Sequence, residues 1–303
     1  MIALAVTLVA IAGSASADED HVIWEISDYQ QRSGITVNVV GNLTVRAGGH
    51  LDLTNVDLRV GSTEGYGTEG IFVFVGGKLT MNGGTIAPLY SNLMTIQLHD
   101  ESTLEGVHVR GIAGWATDFN SSTGALPPLT GFKGGIQVFS DDVYIGNCTI
   151  ELNDVCGIYV KDSSPTIYGN TIRDIYYRWY EYLDIDNNTQ VSAQAYGIIL
   201  DASPTVIESN EIYAIGNWTD LAAWPHGSSS GFYDVYLDLI AIGIATKSMY
   251  IEMDSNEAYE IGRIQNNPNI LNWSGNNYTQ YYTQYMAAAL YGYDALGLSL
   301  IHI

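Results

Sequence analysis

The stretch "GIYVKD" at residues 157–162 runs straight on into "SSPTIYGNTI" at residues 163–172, and "GIILDASPTVIESNEI" spans residues 197–212. Each opens on Gly-Ile, passes a Ser-Pro-Thr turn signal and closes on an Asn with Ile two places later. Gly135–Asn147 ("GIQVFSDDVYIGN") and Gly243–Asn256 ("GIATKSMYIEMDSN") likewise start on Gly-Ile and reach an Asn twelve or thirteen residues later. Looser copies are "GIFVFVGGKLTMN" at Gly70–Asn82 and residues 41–60. Within a copy, apolar residues alternate in short runs, as Ile158 and Val160 do before Ile167. Alternation marks strands with one face on a core. Gly and Ser-Pro separate the runs, as sharp turns require. A unit of roughly 22 residues cannot bury its apolar face alone, whereas stacked units bury it together.

The expected fold is therefore all-β, a parallel β-helix of stacked coils, clearest over 135–260. The repeated Asn predicts an internal ladder of Asn147, Asn170, Asn210 and Asn256, since a buried carboxamide can bond turn backbone and its own copy one coil away. Tyr144, Ile167, Ile207 and Met253, three places before each Asn, are then expected inward. Long loop insertions interrupt the rhythm at 111–134, 176–196 and 216–240, while 276–303 has no clear assignment.

"SSPTIYGNTI" and "DASPTVIESNEI" resemble the right-handed parallel β-helix repeat of the pectin-lyase-like superfamily. More narrowly, they resemble the NosD-like and CASH-type repeats of bacterial and archaeal surface proteins. The resemblance implies a scaffold, because the repeat itself carries no chemistry. Family enzymes that cleave acidic polysaccharides use the outer face of the first strand ladder, with acidic Ca²⁺ ligands and a Lys or Arg base. The corresponding outward column here is Phe139, Lys161, Asp201 and Lys247. Lys161, Asp201 and Lys247 are thus the catalytic candidates for a lyase, glycoside hydrolase or epimerase, and simple cross-strand charge pairing is the competing account. The NosD likeness brings no copper site, since six His, six Met and two Cys are scattered.

Activity in a solenoid usually resides in what interrupts it. The insertions carry Trp115, Tyr177, Trp179, Tyr180, Trp218 and Trp224, whose flat faces suit the C–H surfaces of sugars. A polysaccharide or glycan, or a neighbouring envelope protein, is the expected partner. Asp184 and Asp186 in "DIDNN" space oxygen ligands as a Ca²⁺ loop does, without its Gly and terminal Glu. "DD", "HG" and "RIQ" fragments at 141–142, 226–227 and 263–265 recur by chance too readily to define a glycosidase.

Composition narrows the rest. A formal charge of −22 with only 11 Lys and Arg excludes nucleic acid as a partner. Residues 1–17 read as a secretory signal, an apolar run ending in "ASA", too short for a membrane span. An extracellular or cell-surface location follows from that reading. The terminal "LSLIHI" resembles adapter-derived sequence, which would place the natural C-terminus further on. Seven N-x-[ST] sequons fit an exported glycoprotein, at Asn42, Asn120, Asn147, Asn187, Asn217, Asn272 and Asn277. The ladder predicts that Asn147 is buried and escapes modification. Cys148 and Cys156 leave a disulfide and two thiols equally open.

Overall fold

A computed structural model describes residues 18–61, 63, 66–114, 134–176, 178–183, 189–201, 203–216, 233–246, 252–262 and 278–292. Among them the secondary structure is entirely β, and the strands fall into three parallel ladders.

The first ladder stacks β2 (Trp24–Ile26), β5 (Leu43–Val45), β7 (Gly70–Val73), β9 (Thr95–Leu98) and β12 (Ile136–Val138). It continues through β15 (Cys156–Lys161), β19 (Thr189–Asp201), β22 (Tyr233–Thr246) and β25 (Tyr278–Gly292). The second ladder holds β3 (Tyr29–Ser33), the first halves of β6 (His50–Val60) and β8 (Lys78–Pro88), and β10 (Ser102–Glu105). Above them lie β13 (Val143–Gly146), β16 (Thr166–Tyr168), β20 (Val206–Glu208) and β23 (Glu252–Asp254). The third ladder begins with β1 (Glu19–His21), β4 (Thr36–Val39) and the second halves of β6 and β8. It goes on through β11 (His108–Arg110), β14 (Thr149–Glu151), β17 (Thr171–Ile175), β21 (Glu211–Ile215) and β24 (Glu257–Ile261). The chain visits ladders one, two and three in turn and then starts the next layer, as a parallel β-solenoid requires.

The core lies between the ladders and is built from vertical columns. Ile26, Val45, Val73, Leu98, Val138, Val160 and Leu200 pair in register from one coil to the next, and all are fully buried. Ile145, Ile167 and Ile207 form a column of the second ladder, and Ile150, Ile172 and Ile212 one of the third. β-Branched residues recur because they fit a pleated, closely packed surface.

The corner between the second and third ladders explains the repeated Asn. Every coil turns there on one residue with left-handed backbone: Gly34, Asn55, Gly83, Gly106, Asn147, Gly169, Ser209 and Ser255, with φ between 50° and 67°. The residue after it points inward. In the lower coils that residue is apolar, as at Ile35, Val56 and Val107. In the upper coils it is Asn170, Asn210 and Asn256. The Asn170 Oδ1 accepts the Cys148 amide (3.0 Å), Asn210 Oδ1 accepts the Asn170 amide (3.0 Å), and Asn256 Oδ1 accepts the Asn210 amide (3.0 Å). Each Asn thus satisfies a buried N–H of the coil before it. The Asn170 Nδ2 also donates to Ile145 O and to Asn210 Oδ1, at 2.9 Å each.

Two expectations need correction here. Asn147 is not in the column; it is the exposed left-handed residue itself, and Cys148 occupies the inward place. Likewise Ile145, not Tyr144, pairs with Ile167. Both errors are one slip. Gly135 lies twelve residues from Asn147, whereas the copies that start at Gly157, Gly197 and Gly243 span thirteen.

The insertions also differ from expectation. Part of 176–196 is a hairpin rather than a loop: β18 (Arg178–Leu183) pairs antiparallel with β19, which runs on into the first ladder. Residues 233–240 belong to β22, paired with β19 from Thr189↔Val235 to Leu200↔Thr246. Within 276–303, where the sequence offered no assignment, β25 pairs along β22. The pleat changes phase at Gly197. Ala195 and Ile198 both face the main core, while Tyr196 and Ile199 both face a second cluster. A Cβ at Gly197 would lie 2.5 Å from Gly243 O and 2.6 Å from Ile212 Cγ2, which is why the motif opens on Gly.

Asn210→Ala removes an acceptor that serves two Asn170 donors and should cost about 2–4 kcal/mol, because buried polar groups lose their partners. Asn147→Gly keeps the turn and should cost under about 0.5 kcal/mol. Denaturant unfolding of both variants checks the contrast.

Candidate functional site

The outer face of the first ladder changes character along the stack. Its outward column, read from the strand register, is Arg46, Phe74, His99, Phe139, Lys161 and Asp201. At the lower end it is open, with Phe74 exposed and Val75 beside it. The Arg46 guanidinium lies 5.7 Å from the Phe74 ring centre and pairs with Glu25. The Phe74 and His99 rings stack at 6.5 Å, and His99 and Phe139 at 4.5 Å, all nearly parallel. A coil repeat of about 4.8 Å brings successive rings to stacking distance without further design.

At the upper end the same face is buried. Val155, Cys156, Tyr159, Tyr196, Ile199, Ile240, Ile242 and Ala245 form a second apolar cluster on the outside of the ladder, with Phe139 packed against it. Asp201, expected on an open outer face, is 2% exposed, and Tyr159 on the same strand ladder is 1% exposed. Lys161 stands in register with Asp201. The Asp201 carboxylate accepts the Tyr159 hydroxyl at 3.2 Å, and burial with that carboxylate pushes the Tyr159 phenol well above its usual range. A carboxylate so enclosed is poorly placed to take a proton from a polysaccharide laid along the surface, since a general base must reach its substrate. Lys247 lies outside the described residues.

So do Trp115, Tyr177, Trp218, Trp224, Asp184 and Asp186. Trp179 and Tyr180 fall on β18, of which only the backbone is described. The insertions nevertheless share one corner. Each enters between a third-ladder strand and the next first-ladder strand, from β11 to β12, β17 to β19 and β21 to β22. Among the described residues no group of three or more His, Cys, Asp and Glu is placed to hold a metal ion. Cys148 and Cys156 are buried free thiols, and burial raises both, Cys148 to about 11. Neither is a nucleophile at neutral pH.

Two features escaped the sequence reading. On the third ladder, Arg110, Glu151, Arg173, Tyr213 and Tyr259 form an outward row. Glu151 accepts His108 Nε2 at 2.8 Å and also binds Arg173, while the Tyr213 and Tyr259 rings stack at 5.1 Å. Each of Glu151, Arg173 and Tyr213 follows an inward Ile by one place, so the ladder register is the signal that finds them. The second feature is Val155, whose φ of 67° is costly for a β-branched residue. The Cys156 amide donates to Asp154 O across it at 2.8 Å, and the Asp154 carboxylate accepts the Tyr66 hydroxyl. This strained turn adjoins Gly114, where the described chain stops within the first insertion.

Comparison with protein families, curated proteins and solved structures finds no match for this chain.

The aromatic stack makes a pH prediction. Burial holds the His99 imidazole below its ordinary value, so the unfolded chain takes up the proton first as pH falls. The stability from neutral His99 is complete above about pH 6.5, the unfolded value, and is lost progressively as pH falls from there through the lower folded value. Melting temperature should therefore fall between pH 7.5 and 5.5 by more in the natural chain than in His99→Phe.

Proposed function

We propose that the chain is a secreted or cell-surface right-handed parallel β-helix of the pectin-lyase-like kind, a scaffold that binds glycan along its first ladder. The observation that carries this reading is the outward column itself. Its lower end is a ridge of stacked aromatic rings headed by Arg46, exposed at Phe74 and half-buried at His99 and Phe139. Its carboxylate, Asp201, is enclosed and bonded to Tyr159. An extended glycan laid along the ridge would bury C–H surface against the rings, with Arg46 and Gln97 as polar partners at the rim. In the same reading the Trp and Tyr residues of the insertions supply further ring surface for sugars. The acidic net charge keeps such a scaffold soluble and favours neutral glycans over polyuronates.

The enzymatic reading needs Lys161, Asp201 and Lys247 to act on a bound polysaccharide. What favours it is the Lys161–Asp201 register. What weighs against it is the burial of Asp201.

A glycan array followed by calorimetry tests the proposal. The natural chain should bind neutral polysaccharide, and Phe74→Ala with Phe139→Ala should weaken binding about tenfold or more, or ~1.4 kcal/mol. Asp201→Asn should leave affinity unchanged. Turnover of any polysaccharide by the natural chain, abolished in Asp201→Asn, would establish the enzyme instead.

A further inference from the structure

We infer that Asn147 is the acceptor of an N-linked glycan, an assignment that rests on the export reading above. Asn147-Cys148-Thr149 satisfies the N-x-[ST] pattern. Burial would have disqualified it. The structure instead puts Asn147 at the exposed left-handed apex of the corner between β13 and β14, with φ of 50°. The inward place, where a sugar would be excluded, belongs to Cys148.

The surroundings leave room for a bulky group. The same corner of the coil below is Gly106, where a Cβ would meet nothing within 4 Å. The corner above is Gly169. The Asn147 Nδ2 lies at the surface and donates to Glu105 at 2.7 Å, a bond that the second amide hydrogen can keep after substitution. Tyr168, 39% exposed, sits in register with Gly146 on the next coil and offers ring surface beside the first sugar.

Asn42 supplies the contrast. Its sequon also lies in described chain, but its Oδ1 accepts the Gly70 amide at 3.1 Å. Leu43 and Thr44, which complete the pattern, are buried at 0% and 8% in the first ladder. The Asn42 side chain is thus fixed between two coils, whereas that of Asn147 stands at the surface.

The donor is a lipid-linked glycosyl phosphate, used by a membrane oligosaccharyltransferase of the export route. The Asn147 Nδ2 attacks the anomeric carbon, forming a C–N bond. The carbon–oxygen bond to phosphate breaks, phosphate leaves with that electron pair, and one amide proton passes to a base of the transferase.

The test is glycopeptide mass spectrometry on the full chain, both from its native cells and after export from a eukaryotic secretory host. Asn147 should be modified in more than half of the molecules and Asn42 in fewer than one in ten. Thr149→Ala should abolish the Asn147 glycan while leaving Asn147 itself in place, and Asn147→Gln should lose the same mass. An unmodified Asn147 in molecules glycosylated elsewhere would overturn the assignment alone. Native chain without glycan at any sequon would overturn it together with the export reading.

Discussion

A backbone amide that turns inward at a coil corner finds no carbonyl to bond, and leaving it bare inside the core is costly. The upper coils meet this constraint with Asn170, Asn210 and Asn256, each lending its Oδ1 to the amide one coil below. The rest of the repeat follows from holding that corner in place. A left-handed Gly, Ser or Asn precedes the inward residue, and an apolar residue follows two places later to rejoin the third ladder. Because every layer turns at the same point, side chains on all three faces fall into straight columns. Those columns turn unrelated residues, such as Phe74, His99 and Phe139, into one surface.

The first ladder shows how one sheet can serve two ends. Its inner face belongs to the main core from β2 to β22. Its outer face is an open aromatic ridge in the lower coils and a second buried cluster in the upper ones. The change coincides with the lengthening of β19, β22 and β25 and with the phase shift at Gly197. Closing the outer face there buries Tyr159 and Asp201.

Much of this was legible in residues alone. Stacked parallel strands followed from the recurrence of Gly-Ile, turn and Asn, and the outward column of Lys161 and Asp201 from simple alternation. Two things were obscured for physical reasons. Asn serves equally as a left-handed turn residue and as a buried ladder residue, so "YIGNC" set Asn147 in the wrong role by one place. The second core was hidden because alternation assumes one wet face. Its signal was present in "YGIIL" and "LIAIGIA", apolar runs without alternation, which mark strands buried on both sides. The third-ladder row of Glu151, Arg173 and Tyr213 emerges only once the register of three coils is fixed.

The central claim is that side-chain Asn oxygens hold the coil corners, and hydrogen exchange reads it directly. The amides of Cys148, Asn170 and Asn210 are each bonded to the Oδ1 of an Asn side chain. On this account they exchange as slowly as the core amides of β15 and β19, opening only when the coils separate. Exchange at those three amides close to the rate of an unstructured peptide, while β15 and β19 remain protected, would contradict it.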